Sequence, residues 1–190
     1  MNRILTFIFC VCFFFTYAQD PDDFTLDGFV VLKGETDTLF GKLKERNTHL
    51  MEHTNAWMMH PNGNIQKYKR KELSAVGMGN DLFIVKEKIK GYGTQLLKVG
   101  ARGTITLYEL HNSSGATYFL MKEGQAKGPY VITDMPKGRG YKDQKKMKKY
   151  FADDSELYEK IDAKKYTPAL TPAAVREYNE RHPDSSNGLH

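Results

Sequence analysis

Two histidines and a glutamate lie close together in the stretch His49-Leu50-Met51-Glu52-His53. This spacing fits H-x-x-E-H, the zinc signature of the inverted metallopeptidases. In such enzymes the two histidines bind Zn²⁺ from one face of a helix, and the glutamate activates a water molecule. The motif therefore raises the hypothesis of a small zinc-dependent hydrolase built on His49, Glu52 and His53.

The surrounding sequence gives this motif little support. A zinc site needs a firm helix and a third ligand, but the stretch falls between a predicted strand ending near Lys44 and another beginning near Ala56. Distal candidates for a third ligand remain open: Glu156, Glu159, Glu177 and Glu180. Short motifs carry a high false-positive rate. We therefore assign no catalytic, cofactor-binding or metal residue from the sequence, expect no cofactor, and interpret residues 49–53 as an exposed loop or strand.

The amino terminus predicts export. Arg3 is followed by an apolar run from Ile4 to Phe15, which is too short to span a bilayer and is typical of a secretory signal. Thr16-Tyr17-Ala18 supplies small residues at the first and third of the three places before a cut, so residues 1–18 are predicted to be a signal peptide. Both cysteines, Cys10 and Cys12, lie inside it. We expect an extracytoplasmic protein (periplasmic, surface-exposed or secreted) with no disulfide, no reactive thiol and no transmembrane segment after cleavage.

Residues 19–136 have the pattern of an antiparallel sheet. Short runs of β-branched and aromatic residues alternate with turn residues, as in the hairpin signal Asn62-Gly63. The predicted strands are Leu26–Lys33, Thr38–Lys44, Ala56–His60, Ile65–Tyr68, Glu72–Gly77, Leu82–Lys86, Gln95–Val99, Thr104–Leu110, Ala116–Met121 and Tyr130–Ile132. Such a series, with no helical pattern between strands, favours a β-rich barrel, roll or sandwich.

Residues 137–181 change to helical spacing. Met147, Tyr150 and Phe151 form one apolar stripe. Asp153 with Glu156 is an N-cap pattern that leads into Leu157, Tyr158 and Ile161. Thr171-Pro172 predicts the start of another helix. Leu170 and Val175 flank this start and are predicted to contact each other as a hydrophobic staple. These two or three helices are too short to be stable alone, so they should pack on the sheet in one α+β domain, followed by a flexible tail at 182–190.

Charge limits the classes of partner. The net charge of +5 is too small to indicate nucleic-acid binding. Lys142, Lys145, Lys146 and Lys149 form a basic face over 142–149, which is either solvated or makes weak contact with an anionic surface. Trp57, the only tryptophan, is expected in the core or in a pocket wall rather than as a sugar-stacking platform.

Three segments resemble a group of uncharacterised secreted proteins common in Bacteroidota. Gly28–Gly34 with Asp37–Leu43 resembles their opening hairpin, although Glu35 and Thr36 lengthen the turn. Gly103–Tyr108 resembles their G-x-(apolar)-x-L-Y strand, and Tyr150–Leu157 with Val175–Asn179 resembles their C-terminal helices. The resemblance implies export and a β-then-α layout, and brings no known activity.

The sequence therefore favours a non-enzymatic binding or structural module of the cell envelope, with an unknown envelope partner. The alternative is the small extracytoplasmic zinc hydrolase. An enzyme should have a concave cluster of polar groups with strongly shifted pKa values. A binding module should instead have a flat or grooved apolar patch.

Overall fold

A computed structural model describes residues 20–44, 55–89, 91–112, 115–122, 130–133, 145, 147–162 and 168–183. In this part of the chain, ten strands form one antiparallel sheet. The first five strands are β1 (Phe24–Leu32), β2 (Thr38–Lys44), β3 (Ala56–Met59), β4 (Ile65–Tyr68) and β5 (Leu73–Met78). The others are β6 (Asp81–Ile89), β7 (Gly93–Ala101), β8 (Ile105–Asn112), β9 (Gly115–Lys122) and β10 (Tyr130–Thr133).

The connection from β4 to β5 forces the sheet to curl. The strand order is β10-β9-β8-β7-β6-β5-β1-β2-β3-β4, so β4 and β5 are four positions apart. In a flat sheet that separation is about 19 Å. Residues 69–72 contain the 3₁₀ turn Arg70–Glu72 and cannot span it, since even an extended link of five steps reaches only about 17 Å. The first five strands therefore curl toward one another around a shared apolar core.

The inner face of this curled half holds one apolar core. Tyr68 at the end of β4 shares a buried cluster with Leu73 of β5 and Leu96 of β7. Val30, Leu43 and Met58 belong to the same cluster and are at most 1% exposed. Since side chains alternate along a strand, their neighbours Phe29, Lys42 and Trp57 point to the opposite, outer face.

The helices cover the inner face at the other end of the sheet. They are α1 (Ser155–Asp162), α2 (Thr171–Arg181) and a helical turn at residues 145 and 147–150. Ile105 and Leu107 of β8 and Leu120 of β9 pack with them. The helical partners in this second core are Met147, Tyr150, Phe151, Leu157, Ile161, Ala174, Val175 and Tyr178. The helices thus belong to the same domain as the sheet.

This architecture confirms the predicted α+β class, the antiparallel sheet and the short helices docked on it. β1 begins at Phe24, two residues before the predicted start, and Gly63 occupies the predicted hairpin turn with φ of 82°. No helix in the described ranges is long and apolar enough to cross a membrane. The predicted signal peptide at 1–18 and residues 184–190 of the predicted tail lie outside the described residues.

Three details of the helical region differ from the sequence prediction. Asp154, not Asp153, caps α1, because its Oδ1 accepts a hydrogen bond from the Leu157 amide at 2.9 Å. Tyr158 is 37% exposed and lies outside the buried stripe, since Leu157 and Ile161 set the buried face and the next residue points about 100° away around the helix. Leu170 is 47% exposed, so the predicted staple at the start of α2 is wrong.

Asn179 of α2 ties the helical layer to the sheet through the main chain of Ile105. Its Oδ1 accepts from the Ile105 amide at 2.9 Å, and its Nδ2 donates to the Ile105 carbonyl at 2.8 Å. The amide group thus replaces a neighbouring strand at the start of β8. A Cβ on Gly103 would lie 2.6 Å from Asn179 Cγ, so glycine is required for this approach. Thr104 adds a hydrogen bond from its hydroxyl to the carbonyl of His182.

Replacing Asn179 with leucine, which has a similar shape and no amide, should lower the free energy of unfolding by about 2–3 kcal/mol. Two partly buried main-chain groups of Ile105 would lose their partner. The measurement is a urea unfolding curve, with the exposed Glu180→Ala on the same helix as the control. A loss below about 0.5 kcal/mol, the range of neutral surface changes, would show that the amide does not hold the helix in place.

Candidate functional site

A groove opens on the outer face of β1, β2 and β3 and continues under the β3–β4 turn. Its volume is about 690 Å³. This lies within the range of about 300–1,000 Å³ that is usual for ligand sites. The residues that line it are Asp27, Gly28, Phe29, Phe40, Gly41, Lys42, Met59, His60, Pro61 and Gly63. The apolar members come from all three strands, so the sheet register assembles the site.

Phe40 is the most exposed large apolar side chain of this surface, with 66% of its area open to solvent. It lies directly across from Phe29 in the β1–β2 register, and the two rings meet edge to face with centroids 6.1 Å apart. Phe29 in turn lies against Gly77 of β5, where any side chain would collide with its ring. One aromatic ring is therefore held in place by the sheet and supports the second, which faces solvent.

His60 and Pro61 form the opposite wall at the β3–β4 turn. His60 Nε2 is hydrogen-bonded to Tyr68 Oη at 2.9 Å, and the two rings contact edge to face. Tyr68 is 3% exposed, and burial raises the pKa of its hydroxyl. The His60 amide donates to the Asn64 carbonyl at 2.8 Å, which closes the turn. Because a buried tyrosine fixes the imidazole, this wall is formed before any ligand arrives.

Glycines let the strands approach closely beneath the groove. Gly28 and Gly41 are opposite each other in β1 and β2. A Cβ on Gly41 would lie 2.5 Å from the Met59 carbonyl oxygen and 2.8 Å from Met58 Cγ. A Cβ on Gly28 would collide with the carbonyl of Gly77. Larger residues at either position would push neighbouring strands apart and flatten the curled sheet.

The rim of the groove carries one charge of each sign. Asp27 of β1 and Lys42 of β2 are cross-strand partners, and both are exposed. Opposite charges in facing positions leave the rim close to neutral. A strongly anionic or strongly cationic polymer would therefore gain little here, whereas a ligand that is mainly apolar with a few polar groups would fit.

A second polar site lies on the helical side of the sheet and has the residue types of an acid–base centre. Lys122 Nζ donates to both carboxylate oxygens of Asp153, at 3.1 and 2.9 Å, and to Tyr178 Oη at 3.2 Å. Tyr178 Oη donates to Asp153 Oδ2 at 2.8 Å. The Lys122 ammonium also lies 4.8 Å from the centroid of the Tyr178 ring.

The pKa shifts of this trio oppose a catalytic role. Burial lowers the pKa of Lys122, but hydrogen bonds to Asp153 and Tyr178 outweigh it and leave the pKa above the usual value. Burial raises the pKa of Asp153, and the bonds from Lys122 and Tyr178 reverse this to a net decrease. The pKa of Tyr178 is raised by burial and by Asp153. Every pKa moves away from neutral pH, whereas a general acid or base needs a pKa near the working pH. We therefore interpret Lys122, Asp153 and Tyr178 as a hydrogen-bonded group that holds the helices on the sheet.

Asp154 links the start of α1 to the end of α2. Besides capping α1, it contacts Arg181 Nη1 at 3.2 Å and His182 Nε2 at 3.2 Å. His182 stacks on Tyr178 with centroids 4.4 Å apart. The hydrogen bond from the Leu157 amide is the largest effect on Asp154 and lowers its pKa. Burial raises this pKa, but contacts with His182 and Arg181 lower it further, so the net shift is downward. This carboxylate is therefore a charged structural group at neutral pH.

The zinc motif that the sequence singled out, His49, Glu52 and His53, lies outside the described residues. Within the described ranges, no three His, Cys, Asp or Glu side chains are grouped as a metal would require. Two distal candidate ligands, Glu156 and Glu177, are ion-paired with Arg181 and Lys160 on the helices.

Two other sequence features can be placed. Lys145 and Lys149 of the basic face are exposed, and Lys142 and Lys146 fall outside the described residues. Trp57 is half-buried on the outer face of β3, and the ammonium of Lys67 lies 5.2 Å from its ring centroid. Trp57 thus extends the aromatic character of the outer face beyond the groove.

Comparisons with protein-family models, curated proteins and solved structures find no match to this chain. The resemblance to secreted Bacteroidota proteins therefore stays a prediction.

The groove residues were missed in the sequence, although a signal for them exists. Leu26, Val30 and Leu32 alternate along β1 and mark its inner face, which places Phe29 among the outward residues. The turn at 33–37 sets the register that brings Phe40 opposite Phe29. An aromatic pair on a face that also carries Asp27 and Lys42 is the pattern that could have indicated a surface site.

Asp154→Asn should lower the free energy of unfolding by about 1–2 kcal/mol at pH 7, because asparagine can still cap α1 but loses the charge that faces Arg181. The folded-state pKa of Asp154 is below its unfolded value, so this contribution is complete above about pH 4 and disappears as pH falls through the folded-state pKa.

The test compares the stabilities of wild type and Asp154→Asn from pH 7 to pH 2, with the exposed Glu159→Gln as control. The difference for Asp154→Asn should shrink on acidification. A difference that is constant with pH would contradict a role for the charge.

Proposed function

We propose that this chain is a non-enzymatic binding module of the cell envelope, and that the groove around Phe40 is its binding surface. The observation that carries the proposal is the exposure of Phe40, with 66% of a large apolar side chain open to water above a preformed cavity. Grooved apolar patches on proteins are common sites of interaction.

The occupant that fits this groove is an extended peptide segment with an aromatic or large aliphatic anchor. The cavity opens along strands on the surface, which suits a segment of chain better than an enclosed small molecule. Phe29, Phe40 and Met59 offer apolar contact area for the anchor. Asp27, Lys42 and His60 can pair with polar groups of the peptide main chain or its flanking side chains.

A stable scaffold supports this use of the groove. The rings that shape it are fixed by Gly77 and Tyr68, so little conformational entropy should be lost on binding. Burying one phenylalanine contributes about 1.5–3 kcal/mol, enough for Phe40 to dominate a modest interface. Export, predicted from residues 1–18, would place the partner outside the cytoplasm.

Peptides selected from a random library against the wild-type chain should carry an aromatic or large aliphatic residue at one recurrent position. Phe40→Ser should weaken their binding at least about tenfold, the effect of losing a buried anchor contact. The affinities are measured by fluorescence anisotropy. Because Phe40 is mostly exposed, the free energy of unfolding should change by less than about 0.5 kcal/mol.

Tyr158→Ser is the matched control, since Tyr158 is also an exposed aromatic (37%) and lies on helix α1, far along the chain from the groove residues. It should leave peptide binding unchanged. Failure to select any peptide, or binding that is indifferent to Phe40→Ser, would overturn the proposal.

A further inference from the structure

A second cavity lies on the outer face of β6, β7 and β8. Its volume is about 360 Å³. Phe29 pairs with Gly77, and Gly77 pairs with Leu82, so Ile84 and Lys86 of β6 face the same side of the sheet as the groove around Phe40. The residues that line the cavity are Ile84, Lys86, Val99, Arg102, Gly103, Thr106 and Tyr108.

We propose that this cavity is a separate binding site for a small organic anion with a flat apolar body, such as an aromatic carboxylate or sulfonate. Two cationic side chains, Lys86 and Arg102, border it, and its lining contains no carboxylate. Within the described part of the chain, neither cation is within ion-pair distance of an acidic group. An anion would therefore meet two positive charges that are not already neutralised.

The neighbouring acidic groups are turned to the other face. Glu109 of β8 contacts His111 Nε2 at 2.8 Å and lies against Gly100, where a Cβ would collide with its carboxylate. Asp81 of β6 is paired with Lys98 at 2.8 Å. Regular alternation creates this arrangement, since Val99 pairs with Tyr108 and the adjacent Lys98 pairs with Glu109. Val99 therefore lies on the cavity side, and Glu109 lies on the side of the helices.

The floor of the cavity favours a ring. Ile84 and Val99 provide aliphatic surface, and Tyr108 is 7% exposed. Lys86 Nζ lies 4.8 Å from the centroid of the Tyr108 ring, which holds the ammonium above the aromatic surface. The hydroxyl of Thr106 adds one donor and acceptor. An apolar base beneath a cationic border matches an amphipathic anion, and the volume is at the small end of the usual range for ligand sites.

The cationic turn is held in position by the helical layer. Asn179 Nδ2 donates to the Arg102 carbonyl at 3.3 Å, and its amide group packs against Gly103. The main chain that carries the Arg102 guanidinium is therefore fixed to helix α2 as well as to the sheet. Only the exposed arginine side chain has to become ordered when a ligand binds.

The experiment titrates the purified full chain with 1-anilinonaphthalene-8-sulfonate and follows the fluorescence of the probe. Lys86→Met and Arg102→Gln should each weaken binding by about tenfold, the effect of one charge-assisted hydrogen bond. The exposed Lys71→Gln removes an equal charge elsewhere and should have little effect. The uncharged analogue N-phenyl-1-naphthylamine should bind more weakly and should not respond to either cationic substitution.

Phe40→Ser separates this site from the groove, since both could accept an aromatic probe. Sulfonate binding at the second cavity should persist in Phe40→Ser, and amide signals of Val99 and Thr106 should shift in nuclear magnetic resonance spectra. Binding that is unchanged in both Lys86→Met and Arg102→Gln would overturn the proposal. Binding that is lost only in Phe40→Ser would also overturn it, while leaving the proposed peptide groove intact.

Discussion

The hydrogen bonds between the Asn179 side chain and the main chain of Ile105 tie helix α2 to the start of β8, beside the apolar core that the helices share with the sheet. A helix can approach the start of β8 this closely only because Gly103 has no side chain. Once α2 is docked, Asp154 joins the end of α2 to the start of α1, and Lys122 joins β9 to both. Lys122, Asp153 and Tyr178, which have the residue types of an acid–base centre, in this way fix a helical layer on the inner face.

Both cavities described above lie on the outer face. Its two cavities differ in chemistry. One has an exposed aromatic ring and a balanced rim, and the other has two cations above an apolar floor. The cores on the inner face, around Val30 and around Phe151, contain none of the side chains that line these cavities. A third buried cluster lies on the outer face, and Tyr108, Ile84 and Val99 of this cluster also line the second cavity. Stability and recognition are thus assigned to different residues at the groove around Phe40, whereas the floor of the second cavity is also part of a core.

Much of the fold could be predicted from the sequence because it is encoded locally. Alternation along β8 and the Asn62-Gly63 turn identify strands and hairpins, and the Met147–Phe151 spacing identifies a helical stripe. The order of the sheet is not local, since β5 pairs with β1 and not with β4, although only four residues separate β4 from β5. The sequence prediction placed the cap of α1 at Asp153 instead of Asp154, because the carboxylate of either residue can accept a hydrogen bond from the first turn of the helix. Their roles separate only once Lys122 and Tyr178 are in place to hold Asp153.

The site was harder to predict because it depends on register across strands that are distant in sequence. Histidines in an H-x-x-E-H spacing are conspicuous in a sequence, whereas Phe29 and Phe40 are ordinary until they are opposite each other. The most direct test places a photo-reactive benzoylphenylalanine at position 40, and separately at position 158, in cells that produce the protein. We predict covalent adducts at position 40 that map to an apolar residue of an extended segment in one partner, and none at position 158. Equal labelling at both positions, or no adduct at position 40, would contradict the assignment of the outer face to binding.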